Sequence, residues 1–301
     1  MTIQVILAVA SGLAFSLVAV AYRSNSARGV PPAFAALGMG LAGTLWFGYR
    51  SFAAAGAPGL HAPGLVWAWG IANGLAQTAV VYLYRVGLRH GPLAPVWCAG
   101  NLTFVTPVLY AMAMLGEWPS ARQAAGMGAA FLCVVVSSLG HGEEPGTDGP
   151  HRATPAQRLL YGGVLLGMVL LTGLLGVGLK HLAAVTRGGV PLNPLYNDCF
   201  MLGMYAVLTV GVAAEVWRFG RPAASMGRLA ANGLIAGTGS VVGMALTAVV
   251  SDTPGGVAFA VISVSAVLGG ALITSFGFRE KRGPAWYATL ALAVAAIILV
   301  R

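Results

Sequence analysis

The chain has 301 residues, 57% of them hydrophobic and only 8% charged, with a net charge of +9 and a mean hydropathy of +0.80. Water-soluble domains carry about 25% charged residues, so this chain lacks the polar cover that a water-facing surface needs, and most of its surface must face hydrocarbon. Its 17 basic residues lie mostly between apolar runs and are not interleaved with aromatics, which excludes a nucleic-acid groove and assigns them to lipid headgroups and orientation.

Ten apolar segments follow one another, at 3–22, 32–49, 64–84, 93–115, 122–140, 159–179, 195–214, 229–250, 255–277 and 284–300. A spanning helix needs about 20 apolar residues. Residues 51–84, 91–116, 229–251 and 253–278 contain no Asp, Glu, Lys or Arg at all. The first segment has no basic leader and is too long for a signal peptide, so it reads as a span. Helix breakers separate the segments at Val30-Pro31-Pro32, Ala57-Pro58-Gly59, Gly91-Pro92, Trp118-Pro119 and Arg282-Gly283-Pro284. Cys98, Cys133 and Cys199 sit far apart inside apolar segments, which reads as buried free thiols and not as a metal site.

The third segment carries Trp67, Trp69, Asn73, Gln77, Tyr82 and Tyr84. Asn73 and Gln77 are four apart and share one helix face. An amide at membrane depth must find a partner. It serves either as interhelical glue, worth about 0.6 kcal/mol, or as the polar wall of a cavity. The fourth segment repeats the pattern with Trp97, Asn101, Thr103 and Thr106, and its mid-helix Pro107 is expected to kink the helix by removing a backbone hydrogen bond. Later segments offer smaller groups: Thr238, Ser240, Thr247, Ser263 and Ser265. The candidate solute-binding set is Trp67, Asn73, Gln77, Tyr82, Trp97, Asn101, Thr238, Ser240 and Ser263.

Ionisable residues inside a bilayer are costly and are functional candidates by default. Lys180, His181, Asp198 and Glu215 all fall near segment ends, where snorkelling to the interface is a sufficient structural account. Pro107, Glu117, Glu215 and Glu280 are the candidates for gating or coupling. Gly163/Gly167 and Gly239/Gly243 are GxxxG pairs that allow close helix approach.

The longest hydrophilic connection, His141 to Arg158, divides the chain into a first five-helix repeat (1–142), a linker (143–158) and a second five-helix repeat (159–301). Glu117 in Leu115-Gly116-Glu117-Trp118-Pro119 and Glu280 in Phe278-Arg279-Glu280-Lys281 stand 163 residues apart. An odd number of spans per repeat inverts the second copy, a common transporter design with the solute held near the midplane. The expected fold is an all-α membrane protein of ten transmembrane helices, arranged as two inverted five-helix repeats around a central cavity.

Gly91-Pro92-Leu93-Ala94, a helix with Pro107 near its middle, Leu115-Gly116-Glu117, and Gln123 and Gly126 opening the next helix form one pattern. Through it, residues 84–140 resemble the drug/metabolite transporter superfamily in its ten-helix, EamA-like form. A second, looser copy runs from Ala258 to Gly270 and on to Phe278-Arg279-Glu280 and Pro284, with Gly270 where the first has Pro107. The resemblance implies a two-repeat bundle with a central cavity and solute translocation by alternating access. Tyr22-Arg23 and the short basic loop after it are similar to the sugar-carrying branch.

The expected function is a secondary transporter or facilitator of a small polar or amphipathic metabolite, such as an amino acid, a sugar or a related solute. A multidrug exporter of the same superfamily is the alternative. Few carboxylates fall in mid-span, which favours facilitated or exchange transport, with weak proton coupling as the alternative. An intramembrane lipid-modifying enzyme is a distant third, because the chain has no HExxH, no paired intramembrane carboxylates and no Ser facing a His. No catalytic residue, metal or cofactor is expected. The partners are a small-molecule solute and membrane lipids, with no nucleic acid and with a homodimer left open. The location is multi-pass in the cell membrane, a bacterial inner membrane. Twelve of the 17 basic residues fall in the loops after segments 1, 3, 5, 7 and 9, which places those loops in the cytoplasm and both termini outside; the family resemblance implies the reverse.

Overall fold

The computed structural model describes residues 2–26, 28–53, 62–90, 93–139, 155–187, 194–219, 225–253, 256–277 and 283–300. Within them the chain is helical and has no strand. The helices are α1 (Thr2–Ser26), α2 (Ala33–Ala53), α3 (Gly64–His90), α4 (Leu93–Asn101), α5 (Val105–Leu115), α6 (Ala121–Leu139), α7 (Pro155–Arg187), α8 (Pro194–Phe219), α9 (Met226–Val250), α10 (Val257–Gly277) and α11 (Pro284–Val300).

Helices are the form in which an apolar segment satisfies its own backbone in lipid. Proline opens α7, α8 and α11, where its missing N–H costs nothing and its fixed φ suits the first turn. Five stretches, 3–25, 156–185, 196–218, 226–250 and 257–277, are long and apolar enough to cross a membrane. Large apolar side chains point outward, including Leu45, Tyr49, Leu75, Val210, Trp217 and Leu234. An exterior with this many exposed large apolar side chains suits lipid and not water. The protein is a multi-pass helical membrane protein.

α1 packs antiparallel to α9 and parallel to α10, while α7 packs antiparallel to α3 and parallel to α5. α2 lies between α8 and α9, α3 lies between α7 and α8, and α6 and α11 pack mainly on each other. Glycine permits the closest approaches: a Cβ on Gly38 of α2 would overlap the backbone of Gly233 in α9, and Gly70 and Gly74 of α3 meet the backbone of α8 at Phe200 and Met204.

α1 begins and α11 ends at the same end of the bundle, termed proximal here. There Gln4 and Gln123 line one small cavity of about 170 Å³, and Arg122 Nη2 donates to the Ile298 carbonyl at 3.0 Å. The opposite end is termed distal.

Several boundaries differ from the segments read in the sequence, and those of the fourth segment, α3 and α7 bear on the site. The fourth segment is not one helix kinked at Pro107. It breaks at residues 102–104, between α4 and α5, and Pro107 occupies the first turn of α5, where a missing N–H is tolerated. Because Pro107 has no N–H, the Thr103 carbonyl receives no helical bond from it, and the interruption falls one turn earlier than expected. α3 runs on to His90 and α7 to Arg187, past Arg85, Lys180 and His181. These polar residues do not end their helices because each finds a partner on a neighbouring helix or turn.

Candidate functional site

A cavity of about 280 Å³ occupies the middle of the bundle and extends to the distal end. α1 contributes Phe15, Val18, Ala19 and Tyr22; α3 contributes Gln77, Val80, Val81 and Tyr84; α4 and the break after it contribute Gly100, Asn101 and Thr103. α7 adds Met168, Thr172, Leu175 and Gly176; α9 adds Ser240, Met244 and Thr247; α10 adds Phe259, Ile262, Ser263 and Ala266. Pro32 and Met39 complete the wall, and among the described residues no charged one belongs to it. A pocket that is mostly apolar with a few placed polar groups is the usual form of a small-molecule site.

Most of its hydroxyls are engaged with protein. Thr103 Oγ1 and Ser263 Oγ are 2.8 Å apart and tie the broken α4–α5 segment to α10. Ser240 Oγ lies 2.6 Å from the Tyr205 hydroxyl on α8. Thr247 Oγ1 donates to the Gly243 carbonyl at 2.8 Å and lies 2.9 Å from Ser11 Oγ on α1. The Tyr22 and Tyr84 rings stand 6.4 Å apart, tilted by 34°, at the distal rim.

Proximal to the cavity the bundle is shut. Lys180 Nζ lies 2.8 Å from Glu117 Oε2 and donates to the Thr253 carbonyl at 2.7 Å, joining α7 to the turn after α5 and to the turn after α9. That turn after α5 depends on Gly116, whose φ of 65° is the left-handed conformation glycine adopts without strain, and the Glu117 N–H closes it by donating to the Ala111 carbonyl. Above this latch the Tyr110 hydroxyl lies 2.6 Å from His181 Nδ1, and the His181 ring packs on Trp69 at 5.4 Å. Arg50 Nε pairs with Asp198 Oδ2 at 3.1 Å between α2 and α8, at the same end. At the distal end Arg85 Nη1 pairs with Glu215 Oε1 at 2.5 Å, between α3 and α8.

Of the solute-binding candidates, Gln77, Asn101, Ser240 and Ser263 line the cavity. Trp67, Asn73, Tyr82 and Thr238 do not. Trp67 packs against Gly203 on α8, and the Tyr82 hydroxyl donates to the Gly211 carbonyl at 3.3 Å, because that face of α3 is closed by α8. Asn73 is fully buried one turn proximal to Gln77; its Nδ2 donates to the Trp69 carbonyl at 2.9 Å and abuts Gly178, while its Oδ1 has no partner among the described residues. Thr238 is on the exposed side of α9, opposite Ser240. The Trp97 side chain and Glu280 lie outside the described residues.

Among the gating candidates, Glu117 forms the proximal latch and Glu215 the distal pair, while Pro107 is buried against Gly176 of α7. Snorkelling does not account for Lys180, Glu215 or Asp198: all three are buried inside the bundle and are paired there. Sequence reading missed Phe15, Met39, Met168, Thr172, Met244 and Phe259. Their apolar helices look alike on the lipid side and on the cavity side, so no sequence signal separated them.

No protein-family model and no curated protein sequence matches the chain. A solved crystal structure of a protein matches it with a TM-score of 0.72 at 19% identity, covering 99% of this chain and 96% of that one. Identity at this level speaks for the fold alone.

Proposed function

We propose that the protein is a secondary carrier, which moves a small polar or amphipathic solute across the cell membrane by alternating access, in the manner of the ten-helix drug/metabolite transporters it resembles. The observation that carries the reading is an uncharged central cavity, walled by helices from both parts of the chain, that extends to one end while a buried Lys–Glu latch shuts the other.

Counting α4 and α5 as one broken span gives ten. The reading as two inverted repeats pairs α1 with α7, α2 with α8, α3 with α9, α4–α5 with α10, and α6 with α11. Three features support it. The packing of α1 on α9 and α10 has its counterpart in α7 on α3 and α5, and that of α2 on α9 in α8 on α3. The close-contact glycines Gly70 and Gly74 stand 163 residues before Gly233 and Gly237, the same separation as Glu117 and Glu280. Gln77 and Ser240, again 163 apart, both line the cavity. Midplane binding between inverted repeats is a recurrent carrier design. A bacterial inner membrane is the proposed location; there the charge bias assigns the distal loops to the cytoplasm.

Counterflow into proteoliposomes is the test. Preloaded unlabelled solute should drive transient accumulation of the labelled form, and a pH gradient alone should drive none. Absence of counterflow across a panel of amino acids, sugars, nucleosides and amphipathic drugs would refute the carrier reading.

A further inference from the structure

The chemistry of the cavity wall narrows what it can hold. A small ion entering it would lose its hydration and meet no counter-charge, a cost that buried charges avoid only by pairing. Glu215 at the distal end is already matched by Arg85, so it offers an entering cation no spare charge. An anion would likewise find no partner inside.

The unengaged polar groups are more specific. The Gln77 carboxamide carries no hydrogen bond among the described residues, and neither do the Tyr22 and Tyr84 hydroxyls, whereas Thr103, Thr172, Ser240, Thr247 and Ser263 are all bonded to protein. A carboxamide offers two donors and an acceptor in one plane, a set that a solute edge of matching donors and acceptors can take up in place of water. The apolar remainder suits a flat body: Phe15 and Phe259 belong to the wall, and Met39, Met168 and Met244 supply deformable side chains that adapt to aromatic outlines.

We propose that the cavity selects uncharged solutes that combine a flat aromatic body with an amide-like hydrogen-bonding edge, the edge held by Gln77 and the ring by Tyr22 and Tyr84. The inference rests on the carrier reading and deepens it by naming the class of solute.

Three probes of nearly one shape test it: nicotinamide, which is neutral; nicotinate, its anionic counterpart at pH 7; and 1-methylnicotinamide, a cation. Calorimetric titration of the purified full chain in detergent should rank nicotinamide at least about tenfold tighter than either ion, the size of one well-made hydrogen bond. Gln77→Leu should erase that preference. Gln77→Glu should raise affinity for 1-methylnicotinamide about tenfold, a gain that misfolding cannot produce. Equal or tighter binding of either ion by the unaltered protein, failure to bind nicotinamide, or unchanged nicotinamide affinity in Gln77→Leu overturns the proposal. A charged member of the broad panel showing counterflow would overturn the solute class and leave the carrier standing, whereas no counterflow of any compound removes the carrier itself.

Discussion

Lys180 is fully buried, yet its Nζ lies 2.8 Å from a carboxylate oxygen of Glu117 and 2.7 Å from the Thr253 carbonyl. An ammonium in that position is tolerable only while it stays paired. Removing one member of a buried ion pair costs about 3–5 kcal/mol, whereas replacing both by apolar groups is often neutral. Glu117→Gln should therefore lower the unfolding midpoint strongly, and Glu117→Leu combined with Lys180→Met should recover most of the loss. Unfolding in detergent across the three variants measures this. Additive losses in the double variant would show that the pair is not coupled.

The distal pair should behave differently, and exposure decides why. The Arg85 side chain is 36% exposed against 0% for Lys180, so an Arg85 left without its carboxylate can turn towards water. Glu215→Gln is expected to cost about 1 kcal/mol, the upper range for a pair with one solvent-accessible partner. Counterflow should persist in it. Transport driven by a pH gradient in the unaltered protein that vanishes in Glu215→Gln would instead make this carboxylate a coupling group.

These two pairs also explain which parts of the fold were legible in the sequence. Apolar runs announced the helices, because a continuous apolar run satisfies its own backbone in lipid only as a helix. Some helix ends lie beyond the first charge that follows the apolar run: α3 continues past Arg85 and α7 past Lys180, since a charge satisfied by a neighbouring helix or turn need not leave the bundle. The cavity was legible only in part. Helical spacing put Asn73 and Gln77 on one face correctly, but a shared face says nothing about depth, and the bundle is closed one turn below Gln77. Thr238 and Ser240 show the reverse limit: two positions apart, they face lipid and cavity respectively, and composition does not tell which.

Glycine spacing has the same ambiguity, and substitution resolves it. Gly163/Gly167 and Gly239/Gly243 share the GxxxG pattern. A Cβ on Gly239 would meet the Ala14 carbonyl at 2.5 Å, while one on Gly163 would meet nothing within 4 Å. Gly239→Leu should destabilise the α1–α9 contact by about 1–3 kcal/mol or more, as overpacking does, and Gly163→Leu should be tolerated. Thermal unfolding of the two variants side by side checks this; equal losses would mean that the helix approach at Gly239 is not tight.

The inverted-repeat reading makes the sharpest prediction, because it specifies the conformation not yet seen. In this structure the cavity is lined on α1 by residues between Phe15 and Tyr22 and on α7 by residues between Met168 and Gly176. Exchanging the two repeats at an offset of 163 carries the α1 lining onto 178–185 of α7. Ala19, which now lines the cavity, corresponds to Leu182, which is now 4% exposed and packed in the closed proximal half. In a background with Cys98, Cys133 and Cys199 replaced by alanine, Ala19→Cys should react with an impermeant maleimide added from the distal side. Leu182→Cys should react from the proximal side alone. Their reactivities should move in opposite directions when Glu117→Leu and Lys180→Met release the latch, because a two-state carrier cannot expose both sites at once. Labelling of both positions from one side, or a Leu182→Cys that stays inert in a latch-free variant still capable of counterflow, would contradict alternation between these two repeats.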